Sequence, residues 1–235
     1  MAFGFPHLHL ATTTSTNAVA KRLAQQGAPE GMVVSADFQT AGRGRQGRSW
    51  WARPGEAVLA SLLLRQVPPL VTLRAAVAIR EALGKAVLIK WPNDLVLRRA
   101  DGRWGKVCGI LGEADPHGRF AVIGFGINVA GDRNAAPPAL QDRFAALGLP
   151  PSQRQQLLAA AVASIEVWLG RPAEEVVAAF READYLFGRQ VAAQQSGRLL
   201  QGRAVGIDGE GALLLETAVE GLVALSGGEV HLLEG

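Results

Sequence analysis

QTAGRGRQGRSWW, residues 39–51, is the stretch on which the fold turns. Gly42, Gly44 and Gly47 fall at the G-x-G-x-x-G spacing, directly after an apolar run, GMVVSADF at 31–38, that reads as a buried strand. A dinucleotide-binding βαβ unit needs that motif to open a helix and an acidic residue about 20 positions on. Here Ser49, Trp50, Trp51, Ala52, Arg53 and Pro54 follow, which do not begin a helix. The Rossmann arrangement is set aside, and residues 39–54 read as a long loop. Within it Arg43, Arg45 and Arg48 lie close together. At about 6 Å and an effective dielectric near 20, each pair of like charges repels by roughly 3 kcal/mol before solvent relief. An anion reverses that sign, and the glycines leave the backbone open to close approach. The loop is expected to order around a phosphate or pyrophosphate.

Outward from the loop, hydrophobic periodicity predicts helix 16–26, capped by Thr14 or Ser15, strand 57–64, and a helix opened by Pro68 and Pro69 that runs to about Leu83. Strand 86–90 ends at Trp91-Pro92, and 95–98 resumes extended structure. A turn at 100–105 leads to paired strands 106–114 and 119–129. Residues 134–150 read as irregular with a short helix, followed by helices 151–170 and 172–184. After Gly188 the period becomes two, with short strands near 189–194, 198–207, 211–216, 219–225 and 229–233. Five strands in so few residues predict a small β-barrel. The expected class is α+β: a mixed sheet with packed helices over residues 1–186, then an all-β domain over 187–235.

Composition narrows the function. Of 235 residues, 49% are hydrophobic and 19% charged, enough for a real core, and the formal net charge is only +3. A nucleic-acid binder would show a denser basic face. The single cysteine, Cys108, excludes an intramolecular disulfide and fits a reducing compartment. It lies in a strand interior and reads as core. The N-terminal residues lack the charged and apolar regions of a signal peptide, and no uninterrupted stretch reaches membrane-span length. The expected location is the cytoplasm, with no membrane partner.

Three further segments carry chemistry. KWPND, residues 90–94, closes an apolar strand with a lysine, stiffens the exit with Pro92 and turns at Asn93 and Asp94. A lysine there meets a partner, water or a ligand, and it can bridge a carboxylate and a phosphate. Ser15-Thr16-Asn17 fits an ordinary helix cap and equally a cluster of hydroxyl and amide groups for a polar ligand. In GFGIN, residues 124–128, the glycines mark close approach of a ligand or backbone, and Asn128 could hydrogen-bond a base.

STN, QTAGRGRQGR, KWPND, GKVCGILGE and GFGINV, in that order and spacing, resemble the biotin protein ligase family. GALLLE at 211–216 and SGGEV at 226–230 resemble the family's small C-terminal domain. The resemblance covers nearly the whole chain, and GRGR-x-GR with KWPND is its most specific part. It implies a catalytic domain like that of the class II aminoacyl-tRNA synthetases, followed by an SH3-like barrel. It implies ATP and biotin as substrates with Mg²⁺ held mainly by phosphates, biotinyl-5′-AMP and pyrophosphate as first products, and a biotin carboxyl carrier protein as acceptor. Lys90 and Arg45 fall on catalytic positions. Ser15, Thr16, Asn17, Gln39, Gly42, Arg43, Gly44, Arg45 and Lys90 fall on biotin-contacting ones. Arg43, Arg45, Arg48, Trp51, Asn93, Lys106 and Asn128 fall on adenylate-contacting ones. Trp50 or Trp51 is expected to keep water from the mixed anhydride. Some members carry an N-terminal winged-helix domain and act as repressors. STN at residue 15 leaves no room for one, so the resemblance is to the monofunctional class without nucleic-acid binding, as a monomer or homodimer. A lipoate or octanoate ligase and a nucleic-acid module built on the basic loop are the rival readings.

Overall fold

The computed structural model of the chain describes residues 3–195 and 197–233. Its first sheet has seven strands in the order β1-β2-β3-β7-β6-β5-β4. They are β1 (His7–Thr13), β2 (Val33–Gln39), β3 (Ala57–Leu64), β4 (Val87–Lys90), β5 (Asp94–Arg98), β6 (Trp104–Ala114) and β7 (Ala121–Asn128). Strands β1 and β2 pair in parallel, and every other neighbour is antiparallel. The sheet is therefore mixed, as expected. The parallel strand is the element that sequence reading passed over: HLHLATT alternates exposed and half-buried residues on an edge, with too little apolar contrast to stand out.

The helices divide between the two faces. α2 (Val71–Leu83), α4 (Arg154–Leu169) and α5 (Ala173–Glu182) share a core with Val58, Ala60, Leu62 and Leu64 of β3 and Ile123, Phe125 and Ile127 of β7. α1 (Thr16–Gln25) covers the opposite face through Ala20 and Ala24, against Leu63 and Val122. Side chains alternate along a strand. The residues left on the α1 face of β7 are thus Gly124, Gly126 and Asn128, and the polar residue on that face of β3 is Ser61. A short α3 (Pro138–Gln141) lies in the irregular 130–150 segment.

Three local expectations need correction. The helix after Pro68-Pro69 begins at Val71, because Leu70 takes a left-handed conformation (φ 60°) at its N-cap. That helix also buries Arg74, which donates to the carbonyls of Pro69, Trp168, Leu169 and Arg171 and so caps the end of α4. Helix α4 starts at Arg154, after a 3-10 turn at Pro151–Gln153. Ser15 does occupy the N-cap of α1, yet its side chain makes no capping bond.

The second sheet is antiparallel, in the order β11-β10-β9-β8-β12, and matches the SH3-like expectation. Its strands are β8 (Gln190–Gln195), β9 (Arg198–Ile207), β10 (Leu213–Thr217), β11 (Gly221–Leu225) and β12 (Glu229–Leu232). It shares one continuous core with the first sheet through Val191, Ile207, Leu213 and Leu215. Buried Trp91 of KWPND donates from Nε1 to the carbonyl of Gly211 at 2.9 Å. The motif's tryptophan thus pins the small sheet to the large one.

Candidate active site

A cavity of about 350 Å³ opens on the α1 face of the large sheet and runs to the edge of β12. Its floor is glycine because neighbours occupy the space a side chain would need. A Cβ at Gly124 would collide with the Asn17 amide, and one at Gly126 with the Trp50 indole. At Gly109 it would lie 2.9 Å from Trp50 Cζ3 and 2.8 Å from Lys106 Nζ. The GFGIN glycines thus mark close approach, here of protein side chains. Trp50 lies across the floor and carries Lys106 Nζ 5.5 Å above its ring.

One end of the cavity is neutral and polar. Ser15, Thr16 and Asn17, at the start of α1, are all buried and line it. Thr16 N donates to Gln39 Oε1 at 2.7 Å. Ser61 Oγ stands 2.7 Å from Thr16 Oγ1 and 2.6 Å from Asn17 Oδ1. Behind them, Asn17 Nδ2 donates to Glu113 Oε2 at 2.7 Å, and Lys21 Nζ donates to Glu113 Oε1 at 2.6 Å. Burial works to raise the Glu113 pKa, but the Lys21 and Asn17 donors outweigh it and hold the carboxyl below its ordinary value.

The other end is cationic. Lys90, Arg45, Arg48, Lys106 and Arg143 all line it. Burial lowers the pKa of Lys90; nearby Asp94 opposes the shift, while Arg143, Lys106 and Arg48 add to it. Lys90 has no ion pair within 4 Å among the described residues, so a bound anion would fill an open position. Lys106 is paired with Asp94 at 2.6 Å. Arg45 donates to Asn93 Oδ1 at 3.1 Å and is lowered chiefly by burial.

The basic loop is a small hairpin rather than an open coil. Gly44 N donates to Arg48 O and Trp50 N to Gly42 O, around a 3-10 turn at Arg45–Gly47 with Gln46 and Gly47 at positive φ. Its three arginines fan out. Arg45 reaches Asn93, Arg48 pairs with Glu229, and Arg43 lines the neutral side near Glu113. Gly42 lies against Trp50 O and Gln39 Nε2, tying the loop to the end of β2, and Gly44 lines the cavity.

Asn128 is largely committed within the fold. Its amide donates to the carbonyls of Ala145 at 2.9 Å and Lys106 at 3.4 Å, which holds the 130–149 segment against β7. Asn93 is similarly engaged, with Nδ2 on Ile110 O. Trp51 meets Phe144 of that segment edge to face, ring centres 6.0 Å apart. Cys108 is fully buried, and burial pushes its thiol far up, as core and not nucleophile.

Sequence reasoning missed Ser61, Glu113, Lys21, Arg143 and Glu229. Ser61 had a signal: it is the one hydroxyl in AVLASLLL, an otherwise apolar strand. Glu113 and Glu229 stood inside the quoted segments GKVCGILGE and SGGEV, where no role was read for them, and Lys21 and Arg143 had no signal, because each is an ordinary surface-type residue until the fold brings its partner close.

Comparison with known proteins gives a consistent answer. Residues 9–129 match the model of the biotin/lipoate A/B protein ligase family, and residues 186–233 match the biotin protein ligase C terminal domain. The bifunctional ligase/repressor BirA of Bacillus subtilis is 35% identical, over 93% of this chain and 71% of its own length. The biotin--[acetyl-CoA-carboxylase] ligase of Mycobacterium tuberculosis is 32% identical, over 95% and 88%. The biotin protein ligase from Aquifex aeolicus, solved with biotin and ATP, superposes with a TM-score of 0.81 at 25% identity, over 97% of this chain and 99% of that one. The chain belongs to the biotin/lipoate A/B protein ligase family, within its biotin protein ligases.

Proposed function

We propose that this chain is an ATP-dependent biotin protein ligase. The observation that carries the reading is the two-ended cavity. Neutral donors and acceptors cluster at Thr16, Ser61 and Gln39, and unpaired positive charge clusters at Lys90, joined by a glycine floor under Trp50. A ureido ring needs paired donors and acceptors once buried. A carboxylate approaching a triphosphate needs cations that spread the developing charge.

In the first half-reaction a biotin carboxylate oxygen attacks the α-phosphorus of ATP, the α–β bridging bond breaks, and pyrophosphate leaves. Lys90 is in position to hold the carboxylate against the α-phosphate, and Arg45 to neutralise a phosphate oxygen. Gly42, Arg43 and Gly44 lie where the loop closes over the acyl chain. Arg48, Trp51, Asn93, Lys106 and Asn128 surround the nucleotide end. Trp50 excludes water from the mixed anhydride. Mg²⁺ would ride on the triphosphate and offset its charge. No three His, Cys, Asp or Glu residues group to hold a metal among the described residues, and Asp94 and Glu229 are already paired with cations. In the second half-reaction an acceptor lysine amine attacks the acyl carbon and AMP leaves.

The acceptor is read as a biotin carboxyl carrier domain, by likeness to relatives named for acetyl-CoA carboxylase. Residues 1–186 are read as the catalytic unit and 187–235 as the small domain, and the lone cysteine points to the cytoplasm. The test is biotin-dependent exchange of labelled pyrophosphate into ATP with Mg²⁺, with lipoate and octanoate in parallel. Exchange with biotin alone is expected. Exchange with lipoate instead would keep the fold and overturn the substrate.

A further inference from the structure

The neutral end of the cavity is backed by a hydrogen-bond chain whose direction is fixed by proton counting. Lys21 Nζ meets one oxygen of Glu113 at 2.6 Å, and Asn17 Nδ2 donates to the other at 2.7 Å. An ionised carboxylate can only accept, and the Leu111 carbonyl, 3.3 Å from the same nitrogen, accepts as well; the shorter Glu113 bond dominates and selects the orientation of the Asn17 amide, nitrogen toward Glu113 and oxygen toward Ser61. Ser61 Oγ lies 2.6 Å from that oxygen and 2.7 Å from Thr16 Oγ1. Three oxygens in a row need two protons between them. Asn17 Oδ1 has none, so Ser61 must donate to it, and Thr16 must donate to Ser61. Gln39 Oε1 accepts from Thr16 N–H at 2.7 Å and lies 3.2 Å from Thr16 Oγ1, but a hydroxyl proton turned there would leave bare lone pairs facing across the 2.7 Å gap to Ser61, so the proton goes to Ser61. Thr16 Oγ1 is then left with lone pairs alone. Ser61 is 0% exposed, Thr16 3% and Asn17 4%, so water cannot supply a proton that reverses the chain.

We propose that Glu113, braced by Lys21, is a positioning and specificity-determining residue. Acting through Asn17 and Ser61, it fixes Thr16 as an acceptor and so makes the site demand a ring N–H from the ligand. The proposal rests on the biotin reading above. Its content lies in a carboxylate three hydrogen bonds behind Thr16, not in the ligand contacts themselves. Replacing Glu113 by glutamine removes the fixed sense. A neutral amide can accept from Asn17 or donate to it, so only the longer 3.3 Å contact to Leu111 O opposes the turning over of Asn17 and the reversal of the row. Replacing Ser61 by alanine cuts the row and frees the Thr16 proton to turn between Gln39 Oε1, 3.2 Å away, and the ligand.

The test is a ratio of affinities, which a general loss of packing would not move. Dissociation constants are measured by calorimetry for biotin and for the two cyclic carbamates in which one ring N–H is replaced by oxygen. The wild-type chain is expected to prefer biotin over one of the two carbamates by about a hundredfold, because lone pairs would face lone pairs in a buried site. Glu113→Gln and Ser61→Ala are each expected to shrink that preference to tenfold or less. The double variant should shrink it no further than Ser61→Ala alone. An undiminished preference in both single variants overturns the inference and leaves the functional reading standing. A wild-type chain that binds no biotin overturns both. Ser61→Ala, which loses only a hydroxyl, keeps the test valid if Glu113→Gln does not fold.

Discussion

Arg48 in the basic loop and Glu229 in β12 meet at 2.6 Å, so the small domain holds the loop that roofs the cationic end of the cavity. The guanidinium side chain is 54% exposed, which limits the contribution of the pair to stability to under about 1 kcal/mol. Its effect should fall on the loop. Glu229→Gln is expected to leave the melting temperature nearly unchanged, speed amide exchange across residues 42–50, and raise the KM for ATP several-fold. Added salt should raise KM in the wild-type chain and do so less in the variant. Equal salt sensitivity in both would remove the tether.

Lys90 is half-buried with no ion pair within 4 Å among the described residues, and burial already presses its pKa downward. Lys90→Ala should lower the rate of biotin-dependent pyrophosphate exchange about a hundredfold, or roughly 3 kcal/mol of transition-state stabilisation. The fold should be kept, since the side chain lines a cavity rather than the core. A near-normal exchange rate would end its catalytic assignment.

Gly126 is glycine because the Trp50 indole rests on it. Gly126→Ala is expected to lift Trp50 off the floor and displace the loop that carries it. Adenylation should drop steeply, and the adenylate that does form should hydrolyse faster. Single-turnover assays that separate free biotin from transferred biotin would show this as a higher hydrolysed fraction. An unchanged fraction would mean that Trp50 does not exclude water.

Asp184 lies at the junction of the two sheets, where burial raises its carboxyl to about 6 against the pull of the Leu186 and Phe187 amides. In the unfolded chain it titrates near 4. The folded state therefore binds this proton more tightly. The contribution favours folding below about pH 4 and is lost as pH rises through about 6. Asp184→Asn should keep the bond that Oδ1 accepts from Leu186 N at 2.8 Å and raise stability at pH 7 by on the order of 2 kcal/mol. The gain should vanish below pH 4. Thermal unfolding of both proteins from pH 4 to pH 8 measures it, and parallel curves would rule the effect out.

Local order was legible where sequence and environment agree. The apolar run of β3, the stripe of Leu158, Val162 and Ile165 in α4, and the change of period after Gly188 each state their structure without reference to the rest of the chain. β1 was not legible, because an edge strand with HLHLATT gains its identity from pairing with β2. Among the site residues, the glycines, arginines and KWPND announced themselves by types that are unusual in their setting. Trp91, inside KWPND but given no site role from the sequence, serves the contact with Gly211 through its indole.

The sequence by itself determined most of the elements, the α+β class and the presence of a glycine- and arginine-rich loop, because periodicity, turn residues and clustered charge act over a few residues. The tertiary structure alone decided which polar groups share a proton and which charges lack a partner. Asn17, Lys21, Ser61 and Glu113 span 96 positions of the chain and meet only when β3, β6 and α1 pack together. Hydrogen bonds and ion pairs act over about 3 Å, so their meaning cannot exist before the sheet has formed.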